Sequence, residues 1–346
     1  MELNIKENNL DWLRLLFACQ VMISHSGELG SEYEFPSVIS ETIGYFPGVP
    51  AFFFLSGFLI WASYDRSPNV KTFFLNRFYR LWPGLVFVTI AGLSVAIFGN
   101  LLTGSSSEID TVAYVSWFFA QVTIGQTWNP SISLIGDRWI VNGALWTITV
   151  EILFYISVPI LFWVSKKYKY FIYAALIASF FVFVGGESLL EASFLAEKNL
   201  FKYFNLTPLV WGWMFLIGVI TYQHKNSVGK YFKLTLIGFP MMLVCIILDS
   251  SVLILFQSSG NRLGVVYFIS YCAVIMFLGF GTKVMKIKFD FSYGIYIWHM
   301  VVINFFFIIG WNSMSLFILT TISLACFSWF VIEKPALKLK SFSIKN

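Results

Sequence analysis

Charge is scarce in this chain. Asp, Glu, Lys and Arg make up 12% of its 346 residues, where a soluble domain carries about a quarter. That shortage excludes a water-facing surface over most of the molecule. Histidine is scarcer still, at three residues, and cysteine stops at four. Cys19, Cys245, Cys272 and Cys326 all fall in apolar runs with no C-x-x-C spacing. They read as small buried side chains, not as a disulfide framework or a metal cage. No internal repeat at a fixed period and no low-complexity linker interrupts the sequence. A cleaved signal peptide is not expected either, because the first apolar run contains Arg14 where such a peptide keeps an unbroken apolar stretch.

What the chain has in quantity is apolar surface. Apolar residues make up 58% of it, aromatic residues 20%, and mean hydropathy is +0.76. Apolar runs of about 17–23 residues recur, the length at which a helix crosses a bilayer. Candidate spans lie at about 10–27, 46–63, 81–100, 143–164, 170–187, 204–222, 234–250, 262–281, 290–309 and 315–332. The expected fold class is all-α, a polytopic integral membrane bundle of about ten transmembrane helices. It is expected to form a single domain over 1–346.

The basic residues orient the bundle. Apart from Arg14, Arg138, Lys198, Lys202 and Arg262, every Lys and Arg falls in the N-terminal tail, 64–80, 165–169, 223–233, 282–289 or the C-terminal tail. The alternating loops are acidic instead, with Glu28, Glu32, Glu34 and Glu41 in 28–45 and Glu187, Glu191 and Glu197 in 186–199. By the positive-inside rule the basic set faces the cytoplasm. Ten spans with both termini cytoplasmic satisfy every loop. An eleventh span at 111–128 would push the basic 165–169 loop outside, so that stretch is expected on the outer face or re-entrant within protein.

Ionisable groups inside spans are costly and face the bundle interior or a wet cavity. Arg14 and His25 are eleven residues apart, which returns a helix to within about 20° of its starting face and displaces the two by roughly 16 Å. They therefore share a stripe. A snorkelling arginine and a hydrogen-bonded core histidine would also explain them. Glu151 lies in "ALWTITVEILFY" and is either a helix-locking buried acid or a chemical group. His299, in "SYGIYIWHM", admits an interhelical hydrogen bond or a chemical role, and Gln20 and Asn304 read as helix-to-helix bonds. Arg77 and Arg80 share a helical face at i, i+3 and suit either a polyanion clamp or membrane anchoring. His224 reads as a solvated residue of a basic loop. Trp117, Trp128 and Trp139 suit an interfacial aromatic belt, with stacking on sugar rings as the alternative.

These residues recur as a set in one family. The chain resembles the membrane-bound acyltransferase family 3, whose members move acyl groups, mostly acetyl, onto carbohydrate and related acceptors. Arg14 and His25 match its first-helix signature, an arginine and a histidine separated by ten residues. "FFFLSGFLI" at 52–60, with Ser56 and Gly57, resembles its second-helix motif. Arg77 and Arg80 match its R-x-x-R, which is associated with coenzyme A. "WTITVEILFY" at 146–155 is similar to its W-S-x-x-V-E-x-x-F-Y, with Trp146 and Glu151 in register. "SYGIYIWH" at 292–299 and "IEKP" at 332–335 match its two C-terminal motifs. Thr147 and Thr149 stand where the family often has serine, and Met300-Val301 replaces a proline that often follows His299.

The resemblance implies an O-acyltransferase in the bacterial inner membrane that uses acetyl-CoA and no metal. It implies Arg77 and Arg80 on coenzyme A; the stripe from Arg14 to His25 then suits Arg14 joining them on the phosphates and His25 acting as general base, since imidazole titrates near neutrality. Glu151 would orient that ring or stabilise its protonated form, as a carboxylate does in hydrolase triads. A covalent acyl-histidine stays open. The acceptor is a glycan hydroxyl, as in a lipopolysaccharide O-antigen or exopolysaccharide, on the outer side of the bilayer. No nucleic-acid partner and no fused extracytoplasmic hydrolase-like domain are expected. A secondary transporter or glycan exporter is the rival class for intramembrane charges, although no paired broken helices are visible.

Overall fold

A computed structural model describes residues 3–29, 37–102, 111–125, 141–191, 203–249 and 255–343. Trp128, Trp139, Arg138, Lys198 and Lys202 lie outside them. Among the described residues the secondary structure is helical throughout. In chain order the helices are α1 (Leu10–Ser24), α2 (Ser37–Gly44), α3 (Gly48–Arg66), α4 (Val70–Leu102), α5 (Thr111–Gln121), α6 (Trp146–Lys167) and α7 (Phe171–Glu191). There follow α8 (Pro208–Gln223), the short α9 (Lys225–Lys230), α10 (Gly238–Ile247), α11 (Val265–Phe280), α12 (Ser292–Ile309), α13 (Met314–Ser328) and α14 (Lys334–Ser343). A π-helical turn, Trp329–Glu333, joins the last two.

Every one of the ten apolar runs overlaps a helix. Among the described residues, five stretches are long and apolar enough to cross a membrane: Val38–Arg66, Val70–Leu102, Gly143–Lys167, Ser292–Ile309 and Met314–Leu339. Phe171–Gly186, Pro208–Gln223, Phe232–Ile247 and Val265–Phe280 are apolar but shorter. Most sides of these helices are apolar, so sequence periodicity marks no buried stripe. Core residues are instead those facing other helices, while Ile160, Phe181, Leu243 and Leu319 remain exposed on outward faces, as lipid contact requires.

Two boundaries differ from the sequence reading, each for a local reason. α4 starts at Val70, three turns before the apolar run at 81, because Asn69 Oδ1 accepts the Thr72 N–H and caps it. Arg77 and Arg80 therefore sit within a helix. α1 ends at Ser24, where His25 Nδ1 bonds the Val21 carbonyl at 2.8 Å and Ser26 Oγ bonds that of Ile23 at 2.6 Å. Side chains thus satisfy carbonyls that the helix end leaves open.

The central packing unit is α1, α3, α8 and α12, with α4 and α6 alongside. α3 and α8 cross closely through Gly57 and Gly218, where a Cβ would lie 1.9 Å from the Phe215 carbonyl oxygen and 2.1 Å from that of Phe54 respectively. Small residues at such crossings let backbones touch where lipid supplies no hydrophobic drive. Gln20 Oε1 accepts the Gly48 N–H at 2.7 Å, and Asn304 Nδ2 donates to the Val141 carbonyl at 2.7 Å, so both amides join separate segments. Trp117 is 1% exposed and packs with Ala96, Tyr114 and Val141. It is a core residue, neither a belt nor a sugar platform, because α5 lies against α4.

The basic segments gather at one end of the bundle. Asn9 N–H bonds the Gly279 carbonyl at 2.8 Å, and Lys286 pairs with Glu7 at 3.8 Å. Tyr222 OH reaches Asp65 at 3.0 Å, Tyr173 OH meets His224 at 2.6 Å, and Lys334 lies over the Phe289 ring.

Candidate active site

α1, α3, α4, α6 and α12 line a cavity of about 480 Å³ that reaches the basic end of the bundle. Its longest wall is a stripe on α3: Val49, Phe52, Ser56, Leu59 and Ser63. Their spacing of three or four residues keeps them on one helical face, and fourteen residues of helix span about 21 Å. The cavity is therefore elongated along the bundle. α4 contributes Asn76, Arg77 and Arg80, α6 contributes Thr147, Glu151 and Tyr155, and α12 contributes Ser292, Tyr293 and Tyr296.

Three arginines mark the basic end. Arg14 Nη1 lies 3.3 Å from Asp290 Oδ2, and Arg80 Nη2 bonds the same oxygen. The other carboxylate oxygen accepts the Ser292 N–H at 3.2 Å and its hydroxyl. Burial alone would raise the Asp290 pKa, but the guanidiniums of Arg14 and Arg80 outweigh it and hold the carboxyl well below the usual carboxylate range. Arg77 is placed differently. Its guanidinium lies over the rings of Phe73 and Tyr155, at 5.4 and 5.5 Å, and its buried Nε has no hydrogen-bond partner. An unpaired N–H on a cation beside a cavity is a ready anion contact.

Glu151 projects from the same wall and accepts a hydrogen bond from Tyr155 OH, one turn along α6. Its recorded partner is thus Tyr155, not the His25 ring. Ser56 lines the cavity, whereas Gly57 faces the α8 crossing. Trp146 opens α6 and packs its ring against Phe53 and Trp211.

The far end of the cavity closes on aromatic side chains. Tyr296 is fixed by its hydroxyl contact with Thr147 Oγ1 at 2.6 Å, and its ring meets Phe52 at 5.7 Å. Behind Tyr296, 6.1 Å between ring centres, is His299, and His299 lies 5.0 Å from His25. The first-helix histidine therefore has a second imidazole as neighbour. Each ring places Nδ1 on the carbonyl four residues back, Val21 for His25 and Ile295 for His299. A carbonyl only accepts, so Nδ1 carries the proton and Nε2 keeps its lone pair in each neutral ring. His299 is 0% exposed with Nε2 unpartnered. Among the described residues no group of histidine, cysteine and acids is arranged to hold a metal.

Arg14 and His25 thus occupy opposite ends of one path: arginines, cavity, Tyr296, histidine pair. Asp290 was not singled out from sequence. The available signal was charge balance, since it is the lone acid in the basic 282–291 segment and two arginines inside apolar helices need a counter-ion.

Comparison with known proteins assigns the chain to a family. The model of the acyltransferase domain family matches residues 7–333. The chain belongs to acyltransferase family 3. It is accordingly a membrane acyltransferase. It is 30% identical to nodulation protein 10 of Rhizobium leguminosarum bv. viciae over 96% of this chain and 94% of the relative. It is 27% identical to an O-acetyl transferase of Shigella phage Sf6, over 97% and 98%. No solved structure gives a significant match.

Proposed function

We propose that this acyltransferase moves an acetyl group from acetyl-CoA on the cytoplasmic side to a hydroxyl of a carbohydrate on the outer side of the bacterial inner membrane. The observation that supports this reading is the elongated cavity, with arginines at one end and a histidine pair beyond the other. Arg14, Arg77 and Arg80 hold the donor's phosphates at the basic end, and the pantetheine arm lies along the α3 stripe. The name of the phage relative favours acetyl as the acyl group and oxygen as the acceptor atom.

His25 Nε2 takes the proton of the acceptor hydroxyl as its oxygen bonds the thioester carbonyl carbon. The carbon–sulfur bond then breaks, the acetyl stays on the sugar oxygen, and the thiolate recovers the proton from His25 as free coenzyme A. Glu151 and Tyr155 shape the donor end. Tyr296 separates the cavity from the histidines, so the thioester must move its ring aside to reach His25. With ten crossings and both termini cytoplasmic, the six basic segments face the pool of acyl-CoA.

The deciding experiment compares glycan acetylation by the wild-type and His25→Ala proteins at equal membrane abundance. Acetylation should fall by at least about a hundredfold, the lower range for losing a general base. Unchanged acetate on the glycan would sink the mechanism.

A further inference from the structure

The cavity's charges cancel. Arg14, Arg77 and Arg80 are met by Asp11, Glu151 and Asp290 on the same lining, so the pocket is formally neutral. A neutral pocket gives a polyanion little reason to enter. The three acids differ in what they do. Asp11 is 66% exposed and lies 3.9 Å from Arg14, and Glu151 is bonded to Tyr155. Asp290 alone touches two of the arginines, and it does so through a single oxygen.

We propose that Asp290 is the resident anion of the donor site. Its Oδ2 holds the positions on Arg14 and Arg80 that a donor phosphate takes over, and it thereby sets the pocket's affinity for polyanionic donors. The inference rests on the donor reading above. Two guanidiniums side by side and partly buried repel each other, and a carboxylate between them removes that cost in the empty enzyme. A phosphate offers the same guanidiniums further oxygens and more charge. Displacement frees only Oδ2, because Asp290 Oδ1 keeps the Ser292 N–H and hydroxyl at the start of α12. The exchange is confined to one side of one carboxylate.

Asp290→Asn tests this, since the amide oxygen can still accept from Ser292 while the negative charge is removed. Full-length protein in lipid nanodiscs would be titrated with coenzyme A, pantetheine and inorganic pyrophosphate. The variant should bind coenzyme A and pyrophosphate about three- to tenfold more tightly than wild type, the range for deleting one competing ion pair. Pantetheine, which carries no phosphate, should bind equally to both. Unchanged or weaker binding of both anions by the variant overturns the role of Asp290. Wild-type protein that binds pyrophosphate but not coenzyme A overturns the donor reading and leaves Asp290 to be judged on pyrophosphate alone. If the variant is unstable when empty, coenzyme A must restore its melting temperature to that of the wild-type complex, and failure to do so also overturns the proposal.

Discussion

At the residue scale, Asp290 separates stability from binding. Its folded pKa lies below the unfolded value, so its ion pairs stabilise the empty protein above about pH 4 and that contribution is lost as pH falls through the folded value. With side chains 19–25% exposed, the loss on Asp290→Asn is about 1–3 kcal/mol, typical of hydrogen bonds to charged groups. The melting temperature of the empty variant should sit below wild type by a constant interval from pH 5 to 8. That interval should shrink below pH 4. A gap that widens in acid would contradict the ion-pair assignment. Asp290 also marks where reading from sequence stops: Arg14 and His25 announce themselves by being costly in a bilayer and Arg80 by its i, i+3 spacing from Arg77, but an aspartate in a loop does neither. His299 was visible as a polar residue in a span, yet its 5.0 Å approach to His25 depends on how α12 packs against α1.

At the scale of elements, the helices were legible and their contacts were not. Apolar runs mark where helices lie, whereas α4's extra turns came from a cap at Asn69 and three polar-flanked turns that hydropathy discounts. The "LSGF" segment shows the same division. Ser56 and Gly57 are adjacent in sequence, and the structure sends Ser56 to the cavity and Gly57 to the α3–α8 crossing. Gly57→Ala would place a Cβ 1.9 Å from a backbone carbonyl oxygen, so the two helices must separate. Overpacking of cores costs about 1–3 kcal/mol, and a backbone obstacle that cannot rotate away puts this variant at the upper end. Thermal unfolding in nanodiscs should show that loss together with reduced transfer, because the α3 stripe moves with its helix. Gly185→Ala is the control, since a Cβ there meets nothing within 4 Å. Equal stability of the two variants would remove the close crossing as the reason for Gly57.

At the scale of the whole molecule, transfer across a bilayer needs the donor pocket and the histidine pair to face different compartments. The contacts that tie the N-terminal tail to 279–289, and Tyr173 to His224, gather the basic segments at one end. By the positive-inside rule that end is expected in the cytoplasm. Single cysteines in a background lacking Cys19, Cys245, Cys272 and Cys326 provide the check. Cysteines replacing Lys166, Lys230 or Lys286 should resist a membrane-impermeant maleimide in intact cells and react once the membrane is opened. Ser259 lies between α10 and α11 and Asn312 between α12 and α13, and both are exposed. Cysteines there should react in intact cells. Labelling of Lys286→Cys from outside would place the three arginines away from acetyl-CoA, and the donor could then not be cytoplasmic whatever the mutants at His25 show. Protection at Lys286 with labelling at Asn312 would instead set the two ends of α12, Asp290 near one and His299 about two turns inward from it, across the membrane's permeability barrier.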